Sequence, residues 1–409
     1  MKNKKVIIIG AGAQATVISG VLAEADDVAE ILVTDIDLPR ARELAEVNGS
    51  SKLGAEKLDA SDVGAMARRI EDGGFDLVVN ATIPKFVHQV MKACIKAGAH
   101  YIDMASNEIY PKPDIPIEQF YYAEDFKKAG LMAFTGAGGD PGLSNIMAKD
   151  MINDMDEVES IMIKDYGEVE SEEPVALWSM RTYLEDLFLH PTIWKEGKAE
   201  RVAPFTGEEL YDLPAPFCKK GKFYYHDHEE GVTIPLYAGK PIGYCDFKIG
   251  EPGIDMWRFV VEDLDLMSEE KLDVNGCTVS PREVLFRKAP ATVSAKKQVE
   301  LYESGKLQSR LVLICDGKGK KDGKEIALRS WTESPTGSEA CTRLPGTNDV
   351  SWMTSIPASI FSLMMLRGQI SHTGVFPPEV FSEEEIDTFY KGIKEWGIRV
   401  IKRVETAIK

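Results

Sequence analysis

Apolar residues along this chain follow two rhythms. Over the first 150 residues, short unbroken apolar runs alternate with longer stretches at helical spacing. The runs fall at 5–9, 30–34, 75–80, 99–103 and 131–135, and the helical stretches at 13–25, 39–47, 61–71, 85–97 and 117–129. Unbroken runs predict strands buried on both faces, and their alternation with helices predicts a parallel, doubly wound sheet. Beyond residue 150 the pattern turns to β-forming segments at 158–166, 232–237, 242–249, 256–263 and 309–316. A charged, glycine-studded hairpin loop is expected at 316–324, with the strand resuming at 325–329. A third region opens near Asp349. It holds an apolar helix over 355–366, with Pro357 in its first turn, and an amphipathic helix over 382–408 whose Ser382 and Glu385 form a capping box. The predicted division is 1–150, 151–348 and 349–409: a parallel sheet, a mixed α+β domain, and helices packing back on the first sheet.

The sharpest signal is where the first run stops. Val6-Ile7-Ile8-Ile9 ends at Gly10-Ala11-Gly12-Ala13-Gln14-Ala15, a Gly-x-Gly-x-x-Ala turn followed by a helix. Gly10 permits the tight turn, Gly12 lets phosphates approach the backbone, and Ala15 keeps helix and strand close. The helix N–H groups then face a pyrophosphate. The second run ends on Asp35, placed to accept hydrogen bonds from a ribose. It favours NAD over NADP, while Arg40 and Arg42 just beyond keep NADP open. The remaining strand ends line the same cleft. Together they give the expected cofactor contacts: Gly10, Gly12, Ala13, Gln14, Ala15, Asp35, Asp59, Ala60, Asn80, Ala81, Thr82, Asp103 and Ser106. Asp59 or Ser61 is also expected to cap the following helix.

Composition narrows the partners. The 44% apolar and 28% charged content is that of a globular chain, and the net charge of −18 argues against nucleic acid or an anionic membrane as partner. No run nears the roughly 20 apolar residues of a membrane span, and no leader is expected before the first strand. Six scattered cysteines without a Cys-x-x-Cys pair fit reduced thiols in a cytoplasmic enzyme. His226-x-His228, beside Asp227 and Glu229, has the look of a ligand run. A solvated hairpin explains it better, so no metal is expected.

Gly138-Gly139-Asp140-Pro141-Gly142-Leu143-Ser144-Asn145 reads as a helix start, with Asp140 as cap and Pro141 first in the helix. With the amino-terminal glycine turn and His100-Tyr101-Ile102-Asp103, this segment resembles the saccharopine dehydrogenase family. The nearer branch is that of the reductase-type saccharopine dehydrogenases and the lysine 6-dehydrogenases. Trp178-Ser179-Met180-Arg181 and Gly374-Val375-Phe376-Pro377-Pro378-Glu379 extend the likeness. The resemblance implies a Rossmann domain and hydride exchange at a C–N bond of an amino acid, saccharopine- or lysine-like, through an imine. It also implies a homodimer. Asp140, Asp103 and His372 are the candidate proton-transfer groups, Arg181 the candidate carboxylate clamp and Trp178 a pocket wall. Arg181 is equally readable as an ion pair with Glu185 or Asp186. Two alternatives stand beside this: reductive condensation to an opine-like or carboxylated polyamine product, and a dinucleotide-binding protein without catalysis.

Overall fold

The computed structural model describes residues 3–112 and 114–406. The first domain is a seven-stranded sheet. Its order runs Gly374–Phe376, Met132–Phe134, His100–Ile102, Leu77–Asn80, Lys4–Ile9, Val28–Asp35, Leu53–Lys57, and every pair is parallel. The first strand shows why its apolar run is unbroken. Val6 and Ile8 feed a core on one face and Ile7 and Ile9 a core on the other, all essentially solvent-free. Parallel pairing has a second effect: every strand delivers its carboxyl end to the same edge. Gly10, Asp35, Asn80, Asp103 and Gly136 therefore lie along one rim.

The second sheet has nine strands. Lys198–Arg201, Thr192–Lys195, Ile242–Gly250, Glu157–Ser171, Leu307–Lys321, Lys324–Glu333 and Arg399–Thr406 follow in order, and the hairpin Glu209–Asp212 with Lys220–Tyr225 joins through Ile242–Gly250. Pairing is antiparallel except between Ile242–Gly250 and Glu157–Ser171. Its inner face, with Ile161, Ile163, Phe247 and Leu313, packs on the helices Leu143–Asp154, Glu230–Tyr237 and Asp349–Leu366.

Several expected elements differ. Residues 232–237 belong to the helix Glu230–Tyr237, and 256–263 to the helical turns Ile254–Arg258 and Phe259–Asp263. Both are short apolar runs whose periodicity does not separate strand from helix. The charged segment 316–324 is mostly paired strand, with the reversal confined to Asp322 and Gly323, both at positive φ as a tight hairpin turn requires. The apolar helix starts earlier, at Asp349, with Asn348 capping it, so Pro357 sits in its interior. The helix expected over 382–408 is Glu383–Glu395, capped by Ser382 as expected, and the chain then forms the strand Arg399–Thr406. Positions 407 and 408 lie outside the described residues. The last region is thus not helical alone; it adds one strand to each sheet.

Candidate active site

The dinucleotide cradle has the geometry its sequence calls for. Gly10 has φ +98°, and a Cβ there would stand 2.7 Å from the Ala81 carbonyl oxygen. A Cβ at Gly12 would meet only the Arg40 guanidinium, 3.9 Å away, so space is open over that residue. The helix Ala13–Glu24 begins without a side-chain cap, leaving its first N–H groups for an anion. Asp35 takes the Ala11 and Asp37 amides on its two oxygens, each at 2.9 Å, which ties the acid to the glycine turn. Ile36 and Ile83 are 61% and 48% exposed beside this rim and offer apolar faces to flat rings. These features fit a bound NAD(P), with Gly10 to Ala15, Asp35 and Arg40 at its phosphate and ribose end. Gln14 accepts a bond from Ser355 at 2.5 Å, joining the cradle to the long apolar helix.

The other expected contacts are partly used within the protein. Asn80 donates to the Tyr101 hydroxyl and accepts from Thr82, so it braces the strand end. Asp59 holds Ser61, while Asp62 caps the next helix by accepting from Ala65. Asp103 is buried and accepts from Tyr101 at 2.6 Å, Gln119 at 2.8 Å and the Gly136 amide at 3.1 Å. Burial raises its carboxyl to about 6 against those three bonds. It is a buckle between two strand ends rather than a free acid. Ser106 donates its amide to Glu229 at 2.6 Å.

The loop after the strand Met132–Phe134 carries the residues toward the second domain. Asp140 does not cap a helix. The helix begins at Leu143, and Asn145 turns back to accept the Gly142 amide at 2.6 Å. Gly142 has φ +139°, and any Cβ there would overlap the Gly138 carbonyl. Asp140 is thereby released to face a cluster that the sequence reading set aside.

That cluster centres on His228. The expectation of a solvated hairpin fails: His226 is buried, and His228 stacks on Phe247 with ring centroids 3.9 Å apart and planes 4° apart. Its Nδ1 lies 3.2 Å from Glu230, which is fully buried and anchored by the Ser144 hydroxyl at 2.7 Å. Ligating atoms of His228, Glu229 and Glu230 all lie within 4.8 Å of one another. Asp140, Asp165 and Asp186 complete the surroundings. Burial alone would lower the imidazole, but Glu230, Asp140 and Glu229 outweigh it and push it up to about 10. The acids respond in kind. Burial raises Glu229 and Asp186 to about 7 each, against the opposing pull of His228. Asp140 and Asp165 share a hydrogen bond, and burial raises both. Proton carriers poised near neutrality thus stand beside the loop that follows the cofactor edge.

Two candidates lie elsewhere. His372 precedes the parallel strand Gly374–Phe376, which places it at the amino edge of the sheet, opposite the cleft. Its ring lies against Phe376, and Nε2 is 3.6 Å from Glu385. Arg181 is paired with Glu185 at 3.1 Å and lies over the Phe286 ring at 4.4 Å, half exposed. Five residues on, roughly 140° around the helix, Asp186 takes the side facing His228. Trp178 packs edge-on against Tyr183, centroids 5.8 Å apart, in a wall beside that helix. Glu379 was missed as a site residue although its Pro-Pro-Glu segment was noted. It follows the strand Gly374–Phe376 at the cleft edge, is buried, and accepts from Asn145 at 2.7 Å.

Residues 6–134 match the model of the saccharopine dehydrogenase NADP binding domain, and residues 138–398 that of the saccharopine dehydrogenase C-terminal domain. A carboxyaminopropylagmatine dehydrogenase from Synechocystis is 25% identical over 400 residues, 96% of each chain. A carboxynorspermidine synthase from Vibrio cholerae is 26% identical over 395 residues, 91% of each chain. Among solved structures, the apo saccharopine dehydrogenase (L-Glu forming) of Saccharomyces cerevisiae superposes with TM-score 0.73 at 18% identity, over 99% of this chain and 100% of that one. The homospermidine synthase of Legionella pneumophila, in complex with NAD, gives 0.65 at 12% identity, over 99% and 92%. These two likenesses concern the fold. The domain models reach from the first strand to the turn before the last, and the chain belongs to the saccharopine dehydrogenase family as an NAD(P)-dependent oxidoreductase acting at a carbon–nitrogen bond.

Proposed function

We propose that the enzyme joins a primary amine of a small polycation, a diamine or guanidino-amine, to a carboxylate-bearing aldehyde and reduces the resulting imine to a carboxylated polyamine. The observation that carries this is the ring of acids about His228: Asp140, Asp165, Asp186, Glu229 and Glu230. An anionic pocket of this density suits a ligand with two or more positive charges. The two full-length relatives, named for carboxylated polyamine products, support the same reading. Saccharopine- or lysine-like amino acids are the second reading, supported by the family itself. Both readings need a carboxylate clamp, and the Arg181 guanidinium is engaged with Glu185.

The residues divide the work. The acid ring holds the distal ammonium or guanidinium and turns the reacting nitrogen toward the cofactor edge. Condensation expels the aldehyde oxygen as water, which requires a proton at that oxygen. His228, fixed by Phe247 and Glu230, is placed to give that proton and to take in return one shed by the amine nitrogen. When bound, NAD(P)H would supply the hydride for the carbon of the protonated imine, whose nitrogen keeps that proton in the amine product. A homodimer built on the second sheet and a cytoplasmic location belong to the same reading. The sheet's edge strand Arg399–Thr406 has a partner on one side only among the described residues, and Val404 on it is 54% exposed. All six thiols are unpaired. The test follows NADH and NADPH absorbance with diamines or agmatine plus small aldehydes, and in reverse with lysine and saccharopine. Oxidation of lysine or saccharopine without turnover of any amine–aldehyde pair would overturn the polyamine assignment.

A further inference from the structure

Two buried polar side chains have no role in the chemistry above. Glu118 and Gln119 open the short helical turn Glu118–Tyr122 and are 1% and 0% exposed. Between them they hold the loop Asp103–Asn107 almost residue by residue. Gln119 donates from Nε2 to the Asp103 carboxylate at 2.8 Å and to the Ala105 carbonyl at 3.3 Å, and its Oε1 accepts from the Ser106 hydroxyl at 2.9 Å. Glu118 accepts the Asn107 amide on Oε1 at 2.6 Å, and its Oε2 lies 3.0 Å from His88 Nε2. The loop held in this way joins two parts of the site. At its start, Asp103 takes the Gly136 amide, on the segment leading to Asp140, and connects through Tyr101 and Asn80 to Thr82 on the cofactor rim. Near its end, the Ser106 amide donates to Glu229 of the acid ring at 2.6 Å. An unbroken run of hydrogen bonds thus leads from rim to ring and crosses from the first domain to the second at Ser106. Apolar side chains of similar shape can fill such a space with no loss of stability. A fully satisfied polar network instead dictates one arrangement of the groups it holds.

We propose that Glu118 and Gln119 are positioning residues that couple the cofactor rim to the acid ring. The loop they fix passes ordering at the rim on to Glu229, so the ring grips its cation harder once NAD(P)H is in place. By linkage, a bound cation tightens the cofactor by the same factor. The assignment rests on the reading of the ring as an amine site, and it concerns when that site binds rather than what it binds.

The experiment has two arms. In the first, hydrogen exchange of the whole chain is followed by mass spectrometry with and without NADH. In wild type, NADH should slow exchange about tenfold in peptides over 103–108 and also in those over 226–231. Gln119→Met, which keeps the volume and removes the bonds, should bind NADH as tightly as wild type and lose the slowing at 226–231. No slowing there in wild type, or the same slowing in Gln119→Met, overturns the coupling. Glu118→Leu should repeat the loss and replaces Gln119→Met if that variant does not fold. Glu118→Gln, which can still accept from Asn107, should recover most of the slowing. In the second arm, agmatine is titrated by calorimetry into the free and the NADH-loaded protein, without aldehyde. Wild type should bind it at least about fivefold tighter when loaded, and Gln119→Met equally in both forms. A purely structural role would lower the melting temperature and leave the ratio of loaded to free affinity in place; that result, or a ratio of one in wild type, overturns the proposal. Agmatine binding to neither form defeats the polyamine reading alone, because the exchange arm still decides the coupling.

Discussion

His228 shows how far surroundings can move one side chain. Alone in water its imidazole would be mostly neutral at pH 7; here the Glu230, Asp140 and Glu229 carboxylates keep it protonated. His228→Gln removes the proton and keeps a polar side chain. It should lower kcat by about 10²–10⁴-fold while NAD(P)H affinity, measured by fluorescence, stays unchanged. A change in KM alone would make it a binding residue. Glu379 gives a second prediction. Its Oε1 holds Asn145, its Oε2 has no partner, and burial pushes its carboxyl from 4.5 to about 7. The folded-state value lies above the unfolded one, so its contribution to stability is full below 4.5 and is lost as pH rises through about 7. Glu379→Gln should therefore gain on wild type by roughly 3 kcal/mol between acidic and mildly alkaline pH. Denaturant unfolding across that range measures it, and a constant difference between the two proteins would refute it.

Among the elements, the helix Asp349–Leu366 carries the most structure. Nearly every residue along it is buried, including Ser355, Ser359 and Ser362, whose hydroxyls are satisfied within the fold. Phe361 stacks on Phe389 at 4.1 Å and meets Phe134 edge-on at 4.7 Å, joining the last helix to the parallel sheet. Phe361→Ala should cost about 3–5 kcal/mol, read from denaturant midpoints, with loss of cofactor binding only as the protein unfolds. The same scale shows what was legible in the chain. Val6 to Ala15 could be read because a two-sided core and a phosphate turn impose strict local patterns. Residues 232–237 could not, because four or five apolar residues fit a buried helix as well as a strand. His228 was hidden for another reason. Its partners Asp140, Asp165 and Asp186 come from three separated segments, and nothing local to His226-x-His228 announces that they converge. Glu379 had a visible signal, an acid directly after a returning strand, whose meaning depends on that strand completing the parallel sheet.

For the whole molecule, the charge of −18 acts on both substrates with opposite sign. Raising salt from about 0.1 M to about 1 M shortens the Debye length from about 10 Å to about 3 Å. KM for a diamine should rise severalfold, while association of the anionic cofactor should quicken. Stopped-flow fluorescence and steady-state kinetics separate the two, and a parallel response would mean that the field does not steer either. The distribution of strands has a temporal consequence. Gly374–Phe376 closes one edge of the first sheet and Arg399–Thr406 extends the second. Both are made after everything they pair with. During synthesis the Met132–Phe134 edge stays open while all of the second sheet but its last strand emerges, and Glu379 cannot reach Asn145 until then. A nascent chain of this enzyme thus displays an unfinished sheet from the emergence of Met132–Phe134 until Gly374–Phe376 follows, and the site residues Asn145 and Glu379 come together only after the segment between them has been made.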